Sequence, residues 1–489
     1  MSPPQDESTQ AYSVFRPSIK ALSMILASVA GFMSPLGSNI YMPALPQVTE
    51  KLSITQGETL LSVTMYMIFQ GVAPSFWAPL SDTFGRRPII MCTFLIFLAA
   101  NLGLAFVNVF WGLLVLRMLQ ACGAASAIAI GAGVVSDMAP KSHRGRYMSY
   151  FQFGALIGPC VGPIAGGLLA KRWEWHSVFF FLSAINGILL LCFGALLPET
   201  LRALVGNGSK RPVGIWKPCL PISLSVEHGD AENQEEKSVT MEMPSHVKLS
   251  QMGFHKPWLM FLEPDIALLI LSYSLPFTTY SVSTATLSET LSDNYSYNMI
   301  VIGLCYLPLG AGFAVGGLLG GRLVDWEYRR SKEKHGDQLN LFIARLKYAP
   351  LFNTLFCIGF IAVEWCLDKK THIAAPMIVF FFGMCILLTH SVGLFYGPIY
   401  VHVRGQNTHS SNSLLVDLYR DRAASVTAAL NIGRCILGAI LVAVTQYSID
   451  GIGLGWTFTI YALISIFMPL PVLYTLCVMG PKWEKRRTK

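Results

Sequence analysis

Two arginines stand in stretches of the chain that are otherwise apolar. Arg117 directly follows an uncharged run over 88–116, and Arg434 is the only charged residue between 423 and 449. A charge at the centre of a membrane costs at least ~2.5 kcal/mol on insertion scales, so such a side chain should face a cavity or a partner. A guanidinium group binds a carboxylate through two parallel hydrogen bonds. We interpret both as substrate-binding or proton-coupling residues, while arginines that bond only to backbone carbonyls remain the alternative.

Polar neighbours accompany both arginines. Gln120 lies one helical turn from Arg117, and Asn431 shares a helical face with Arg434. No Asp or Glu lies at mid-depth in any predicted span, and Glu364 is near the end of one. Two guanidinium groups without a carboxylate favour an organic anion as substrate. The further candidates for the same cavity are Asn39, Gln70, His390 and Tyr396, although His390 could equally be a packing residue.

The composition defines the class of protein. Of 489 residues, 53% are hydrophobic and only 13% are charged, with a mean hydropathy of +0.50. Soluble proteins carry about a quarter charged residues, so the composition indicates a membrane protein and excludes a soluble enzyme. Because a span needs about 20 apolar residues, we predict an all-α membrane protein of about twelve transmembrane helices. Their predicted starts are near residues 21, 58, 88, 110, 147, 175, 266, 297, 347, 374, 423 and 455.

The chain divides into two similar halves. We predict a cytosolic tail (1–20), a six-helix half (21–198), a polar cytosolic loop (199–265), a second six-helix half (266–480) and a basic cytosolic tail (481–489). The loop APLSDTFGRR contains Asp82, Gly85 and Arg86, and its counterpart GRLVDWEYRR contains Asp325 and Arg329. Matching loops indicate pseudo-symmetric halves with the substrate site between them. An exposed ion pair stabilises by less than about 1 kcal/mol, so we interpret these residues as a conformational latch.

Glycine and proline are concentrated in GALIGPCVGPIAGG, residues 154–167. Gly154, Gly158 and Gly162 recur every four residues and therefore share one helix face, with Pro159 beside it. Small residues at this spacing allow close approach of two membrane helices. We interpret this face as a seam between the halves that seals and pivots during transport, and plain tight packing is compatible with that role.

The distribution of charge predicts the orientation. The net charge is +8, and most Lys and Arg fall in the loops on one side and in the C-terminal tail. By the positive-inside rule both termini lie in the cytoplasm. We expect no nucleic-acid partner, no disulfide framework, no metal and no cofactor, because the motifs for these are missing from the sequence. Asn294-Tyr295-Ser296 matches a glycosylation acceptor in a predicted outside loop.

Five motifs in order resemble the major facilitator superfamily, and among its members the twelve-span drug:proton antiporters of fungi. They are IYMPALP, APLSDTFGRRPII, RMLQACGAA, GALIGPCVGPIAGG and PETLRALVGNGS. The last resembles a subgroup that contains quinidine, polyamine and weak-acid resistance pumps and exporters of citrate and itaconate. The resemblance implies proton-coupled export across the plasma membrane, with protons, the lipid bilayer and a small molecule as the partners of a monomer.

Three functional hypotheses follow. The first is a proton-coupled exporter of an organic acid, such as a di- or tricarboxylate, or of an acidic secondary metabolite. The second is broad-spectrum efflux of drugs, which competition by unrelated cationic drugs would favour. The third is a nutrient sensor that binds its ligand without transport, which a long cytosolic domain would favour.

Overall fold

The computed structural model describes residues 14–139, 144–208, 210, 212–220, 253–335, 349–394, 423–472, 474–476 and 478–479. Within these ranges, eleven helices are long and apolar enough to cross a membrane, and the shorter apolar helix Ala374–Thr389 is a further candidate. The predicted all-α class with about twelve spans is confirmed.

The helices of the N-terminal half begin close to the predicted starts. In chain order they are α1 Pro17–Asn39, α2 Leu45–Leu52, α3 Gln56–Phe84, α4 Arg86–Leu104, α5 Phe110–Met138, α6 Arg144–Trp173, α7 His176–Leu196 and the short α8 Arg202–Val205. A capping box begins α3, since Thr55 Oγ1 accepts from the Glu58 N–H (3.2 Å) and Glu58 Oε2 accepts from the Thr55 N–H (2.8 Å). This reciprocal pair satisfies donors that a helix start leaves without partners.

The C-terminal half repeats the pattern after the central loop. Its helices are the short α9 Lys256–Leu259, α10 Pro264–Tyr295, α11 Met299–Cys305, α12 Leu307–His335, α13 Ala349–Asp368, α14 Ala374–Leu394, α15 Ala423–Ile452 and α16 Leu454–Phe467. The predicted eighth span is divided between α11 and α12 beside Pro308, because proline has no backbone N–H to continue the helical ladder.

The beginning of the predicted polar loop is folded against the N-terminal half. Leu201, Leu204 and Val205 form a buried apolar cluster with Trp216 packed on it. The Trp216 Nε1 donates to the Phe84 carbonyl at the end of α3 (2.7 Å). The first part of the predicted polar loop, up to Leu220, is therefore packed against the half, because these apolar residues bury surface. Residues 221–252 lie outside the described part.

Helix α6 packs glycine against two different neighbours. A Cβ on Gly158 would lie 2.7 Å from the Pro35 ring of α1, and one on Gly154 would lie 2.7 Å from the Ser28 carbonyl. The face formed by Gly154, Gly158 and Gly162 therefore packs against α1 within its own half. It is not the seam between the halves. The seam uses an adjacent face, where Gly167 meets Met299 and Cys160 meets Gly310. Periodicity identified a close-packed face but not the helix that occupies it.

The bundle has two ends, which we name by residues that lie there. The Arg86 end contains Arg86, and the Lys51 end contains Lys51, which forms an ion pair with Glu174 (2.9 Å) inside the N-terminal half. The halves touch at the Lys51 end, where Gln56 Nε2 of α3 donates to Asp293 Oδ2 of α10 (3.0 Å). The Lys51 end is therefore held closed by polar contacts between the halves.

Candidate transport site

A cavity of about 220 Å³ lies at mid-depth between the two halves. Its wall is mostly apolar and aromatic, and α10 contributes Tyr273, Phe277 and Tyr280 at helical spacing. The polar side chains that line it include Asn39, Gln70, Gln152, Ser281, Thr284 and Arg434. Among the described residues in this wall, Arg434 is the only charged one. The cavity thus presents one guanidinium group in apolar surroundings, where electrostatic interactions are strong.

Arg434 is oriented by its own helix and by an aromatic ring. Its Nε and Nη2 donate to Asn431 Oδ1 at 2.9 and 2.7 Å, and its Cζ lies 4.5 Å from the ring centroid of Phe277. Asn431 does not itself line the cavity; its amide donates to the carbonyls of Gln70 (3.1 Å) and Gly71 (3.2 Å) on α3, where the two helices pack directly. Asn431 therefore links the cavity arginine to the opposite half.

Arg117 is enclosed beside the first helices and does not line the cavity. The residue is fully buried, with its Cζ 4.5 Å from the Tyr41 ring centroid and 4.3 Å from that of Tyr66. Its Nη1 donates to Gln120 Oε1, and Gln120 Nε2 donates to Asn101 Oδ1 (2.7 Å). In this conformation Arg117 and Gln120 do not line the cavity, because two tyrosine rings and an amide chain occupy the space around the guanidinium group. Their role in substrate binding stays a prediction.

The other predicted cavity residues divide into two groups. Asn39 and Gln70 line the cavity, and the Asn39 amide is also bonded to the Pro35 carbonyl (2.8 Å). The side chain of His390 and the whole of Tyr396 lie outside the described residues. The prediction of a substrate contact through these two residues stays a prediction.

A network of charged residues holds the Arg86 end of the N-terminal half. Arg86 pairs with Asp82 (2.5 Å) across one turn and with Asp137 at the end of α5 (3.0 Å). Gly85 precedes it with φ +107°, a region that favours glycine, and its position leaves room for Glu199 and Trp216. The side chains of the matching residues in the second half, Asp325 and Arg329, lie outside the described part. The latch role of both loops stays a prediction.

Glu199 is the residue of this network that sequence reasoning missed. Its carboxylate accepts from four backbone N–H groups: Arg86 (2.9 Å), Arg87 (3.1 Å), Thr200 (2.9 Å) and Leu201 (2.9 Å). Burial raises the pKa of this carboxyl, and the four donors oppose that rise. Glu199 thereby caps the start of α4 and fixes the first residues of the central loop. Its place in PETLR, directly after a span, was the available signal.

Two further carboxyl groups are buried: Glu289, which the sequence analysis missed, and Glu364, which it placed near the end of a span. Glu289 is 5% exposed and Glu364 is 2% exposed. Because α10 extends to Tyr295, Glu289 lies in the helix near the Lys51 end, whereas the sequence suggested that the loop began near it. Neither carboxyl lines the cavity. The longer helix also includes Asn294, whose amide donates to the Leu367 carbonyl (3.2 Å), so the acceptor asparagine is in the last turn of a helix and Ser296 directly follows the helix.

Comparisons with known proteins agree with this architecture. A sequence profile of the Major Facilitator Superfamily matches residues 27–443. The chain is 34% identical to the MFS-type transporter tstD of Talaromyces stipitatus, over 99% of this chain and 86% of the relative. It is 33% identical to Citrate exporter 1 of Aspergillus niger (99% and 90% covered), and 31% identical to Quinidine resistance protein 1 of Saccharomyces cerevisiae (95% and 84% covered).

A solved structure supports the fold independently. The bacterial homolog of the human lysosomal transporter Spinster, in an inward-facing and unoccupied conformation, aligns with a TM-score of 0.59 at 14% identity, over 96% of this chain and 98% of that chain. At that identity the likeness concerns the fold alone. Two helical halves around a central cavity, the family profile and the fungal relatives together lead to one conclusion: this chain belongs to the major facilitator superfamily and is a multi-pass membrane transporter, not an enzyme.

Proposed function

We propose that this transporter is a proton-coupled exporter of a small organic anion. The observation that supports this proposal most directly is that Arg434 is the only charged residue among the described residues of the central cavity. A guanidinium group in such surroundings attracts a carboxylate and repels a cation. The similarity to Citrate exporter 1 supports the same class of substrate. The substrate is an organic acid or an acidic secondary metabolite.

The geometry favours an acid with an apolar body. Arg117, the second arginine expected from the sequence, does not reach the cavity, so among the described residues one guanidinium group, that of Arg434, lines it. Tyr273, Phe277 and Phe313 contribute aromatic surface to the same wall. A monocarboxylate that carries a ring or an alkyl chain fits these surfaces better than a tricarboxylate such as citrate.

The orientation completes the proposal. Basic residues of the loops and the C-terminal tail favour a cytoplasmic Arg86 end, with both termini inside and the chain in the plasma membrane as a monomer. Because the Lys51 end is closed, the conformation described here faces inward. Such a state would accept substrate from the cytoplasm for export.

The test is uptake into proteoliposomes under an imposed pH gradient. The panel contains labelled benzoate, itaconate, citrate and quinidine, and the variants are Arg434→Gln and Arg172→Gln, the latter exposed at the end of α6. We expect gradient-driven accumulation of a carboxylate that Arg434→Gln reduces about tenfold or more and Arg172→Gln leaves unchanged. A tenfold loss is about 1.4 kcal/mol, within the range of one charged hydrogen bond.

Broad-spectrum drug efflux is the second candidate, because aromatic rings line the cavity and the chain is similar to Quinidine resistance protein 1. In the same assay, quinidine accumulation that is insensitive to Arg434→Gln would replace the anion proposal with this one. A chain that binds a compound of the panel but accumulates none would instead support a sensor.

A further inference from the structure

Glu289 is a carboxyl buried at the contact between the two halves. It belongs to α10 of the C-terminal half, and Thr49 Oγ1 of α2 in the N-terminal half lies 3.4 Å from its Oε1. One turn further along α10, Asp293 accepts from Gln56 at the more exposed edge of the same contact. The contact between the halves at the Lys51 end therefore helps to bury Glu289.

The surroundings of Glu289 suit a neutral acid. The charged or titratable groups that act on it are Asp293 on its own helix, Tyr41 beside α2 and Tyr306 between α11 and α12. No Lys, Arg or His among the described residues pairs with it. An ionised carboxylate in such a place loses its hydration without gaining a cation, and Asp293 adds repulsion.

The hydrogen bonds around Thr49 point the same way. Its hydroxyl has one hydrogen but three oxygen neighbours: the Leu45 carbonyl (3.1 Å), Thr59 Oγ1 (2.8 Å) and Glu289 Oε1 (3.4 Å). When Thr49 donates to the Leu45 carbonyl, its lone pairs face the other two oxygens. A protonated Glu289 donates to Thr49 and leaves the Thr49 hydrogen for the Leu45 carbonyl, whereas an ionised Glu289 has to accept that hydrogen over the longer distance, and the Leu45 carbonyl then loses it.

We propose that Glu289 is the site that binds the coupling proton, and that this binding permits the halves to close at the Lys51 end. In the open state the carboxylate is hydrated and takes a proton from hydronium, which leaves water. The neutral acid is then buried against Thr49. Loss of the proton reopens this end. The assignment rests on the proposed proton coupling, but it does not depend on which compound is carried.

Glu364 provides a matched control. It is equally buried, and its Oε1 accepts from Ser283 Oγ (2.5 Å). Glu364 is on α13 and Ser283 is on α10, both in the C-terminal half. Separation of the halves therefore does not break the hydrogen bond between them. Replacing its carboxyl therefore tests the effect of losing a buried acid without touching the contact between halves.

The experiment measures closure directly, with protons as the only ligand. The full chain is placed in lipid nanodiscs with spin labels at Lys171 and Lys369, two exposed positions on opposite halves at the Lys51 end. Labels on unnatural amino acids leave the 11 native cysteines unlabelled. Pulsed electron paramagnetic resonance then gives the distance between the labels from pH 4.5 to 8.5, without substrate.

We expect the short distance to become dominant as the pH falls in the wild type and in Glu364→Gln. Glu289→Gln should show the short distance at every pH. A Glu289→Gln chain that keeps the wild-type pH response overturns the proposal, and so does a wild type that does not respond to pH. Because no organic compound is present, failure here is distinct from failure of anion export.

Asp293→Asn is a second, milder variant in case Glu289→Gln does not fold. Removing the neighbouring negative charge makes an ionised Glu289 less unfavourable. A higher proton concentration is then needed for closure, so the midpoint of the distance change should move to lower pH by about half a unit or more. An unchanged midpoint argues against Glu289 as the group that titrates.

Discussion

At the scale of single residues, the two membrane arginines show how neighbours decide the role of a charge. Both lie in apolar stretches, yet Arg434 lines the cavity and Arg117 is enclosed by Tyr41 and Tyr66. A cation over two aromatic faces is stabilised without an anion, by about 2 kcal/mol or more when desolvated. Arg117 therefore suits an internal position, and Arg434 suits a ligand.

Glu199 allows a prediction about stability. Glu199→Gln replaces one acceptor oxygen by an amide that faces backbone N–H groups, so at least one buried donor loses its partner: Arg87 N–H at Oε2, or the N–H groups of Arg86, Thr200 and Leu201 at Oε1. Each buried unsatisfied donor costs about 1–3 kcal/mol. We expect a clearly lower midpoint of thermal unfolding in detergent, measured by intrinsic fluorescence.

The control is Glu50→Gln, an exposed glutamate on α2. It should leave the midpoint unchanged, since exposed charges away from partners contribute little. Equal midpoints for Glu199→Gln and the wild type would show that the four contacts contribute nothing to stability.

Sequence reasoning reached the correct residue types but not their surroundings. The cost of a membrane charge singled out Arg434, and the four-residue spacing of Asp82 and Arg86 anticipated a pair that the structure contains. Which way Arg117 points depends on the rotation of α5 against its neighbours, and tertiary packing sets that rotation. Glu289 was missed because helix ends are the least certain part of a sequence-based assignment.

At the scale of elements, α6 is a helix of the N-terminal half that packs against both halves. One glycine face contacts α1, and the adjacent face contacts α11 and α12. A Cβ at Gly303 would lie 2.5 Å from the Pro163 carbonyl, so backbones touch on both sides. Backbone contacts of this kind are possible only where side chains are small.

Gly158→Leu tests the intrahalf face of α6. Its Cβ would lie 2.7 and 2.8 Å from the rigid Pro35 ring and 3.1 Å from the Leu36 nitrogen, so α1 and α6 must separate. Overpacking typically costs about 1–3 kcal/mol. We expect loss of transport and a lower thermal midpoint, with membrane insertion intact.

Gly187→Leu on α7 is the matched control, because a Cβ there meets no atom within 4 Å. This variant should match the wild type in membrane insertion, in the midpoint of thermal unfolding and in transport activity. Normal transport by Gly158→Leu would contradict a tightly packed α1–α6 contact.

At the scale of the whole molecule, closure at one end accompanies the cavity at mid-depth. The succession of apolar runs was enough to predict about twelve helices in two halves, because span length and hydrophobicity are fixed by the bilayer. Which end is closed could not be predicted, since a conformation closed at the Lys51 end and one closed at the Arg86 end satisfy the same sequence pattern. Contacts such as Gln56 with Asp293 distinguish them.

A cross-link across that contact should arrest the transporter. We predict that Gln56→Cys with Asp293→Cys, joined by a short thiol cross-linker, stops transport in proteoliposomes and that the uncross-linked pair retains it. The control pair, Lys51→Cys with Glu174→Cys, replaces two residues of one half that form an ion pair (Nζ to Oε1, 2.9 Å), and it should tolerate cross-linking. Transport by the cross-linked Gln56–Asp293 pair would mean that this end does not open during the cycle.

The bond between Arg434 and Asn431 has a consequence for the empty carrier. An exporter must reset after each release, and a bare guanidinium group in an apolar chamber would resist that return. Asn431 Oδ1 already accepts from this guanidinium group, so the charge keeps a hydrogen-bond partner when no substrate is bound. If the substrate is the organic anion proposed above, its binding exchanges one acceptor for another. Such an exchange would lower the affinity for the substrate and ease the return of the empty transporter.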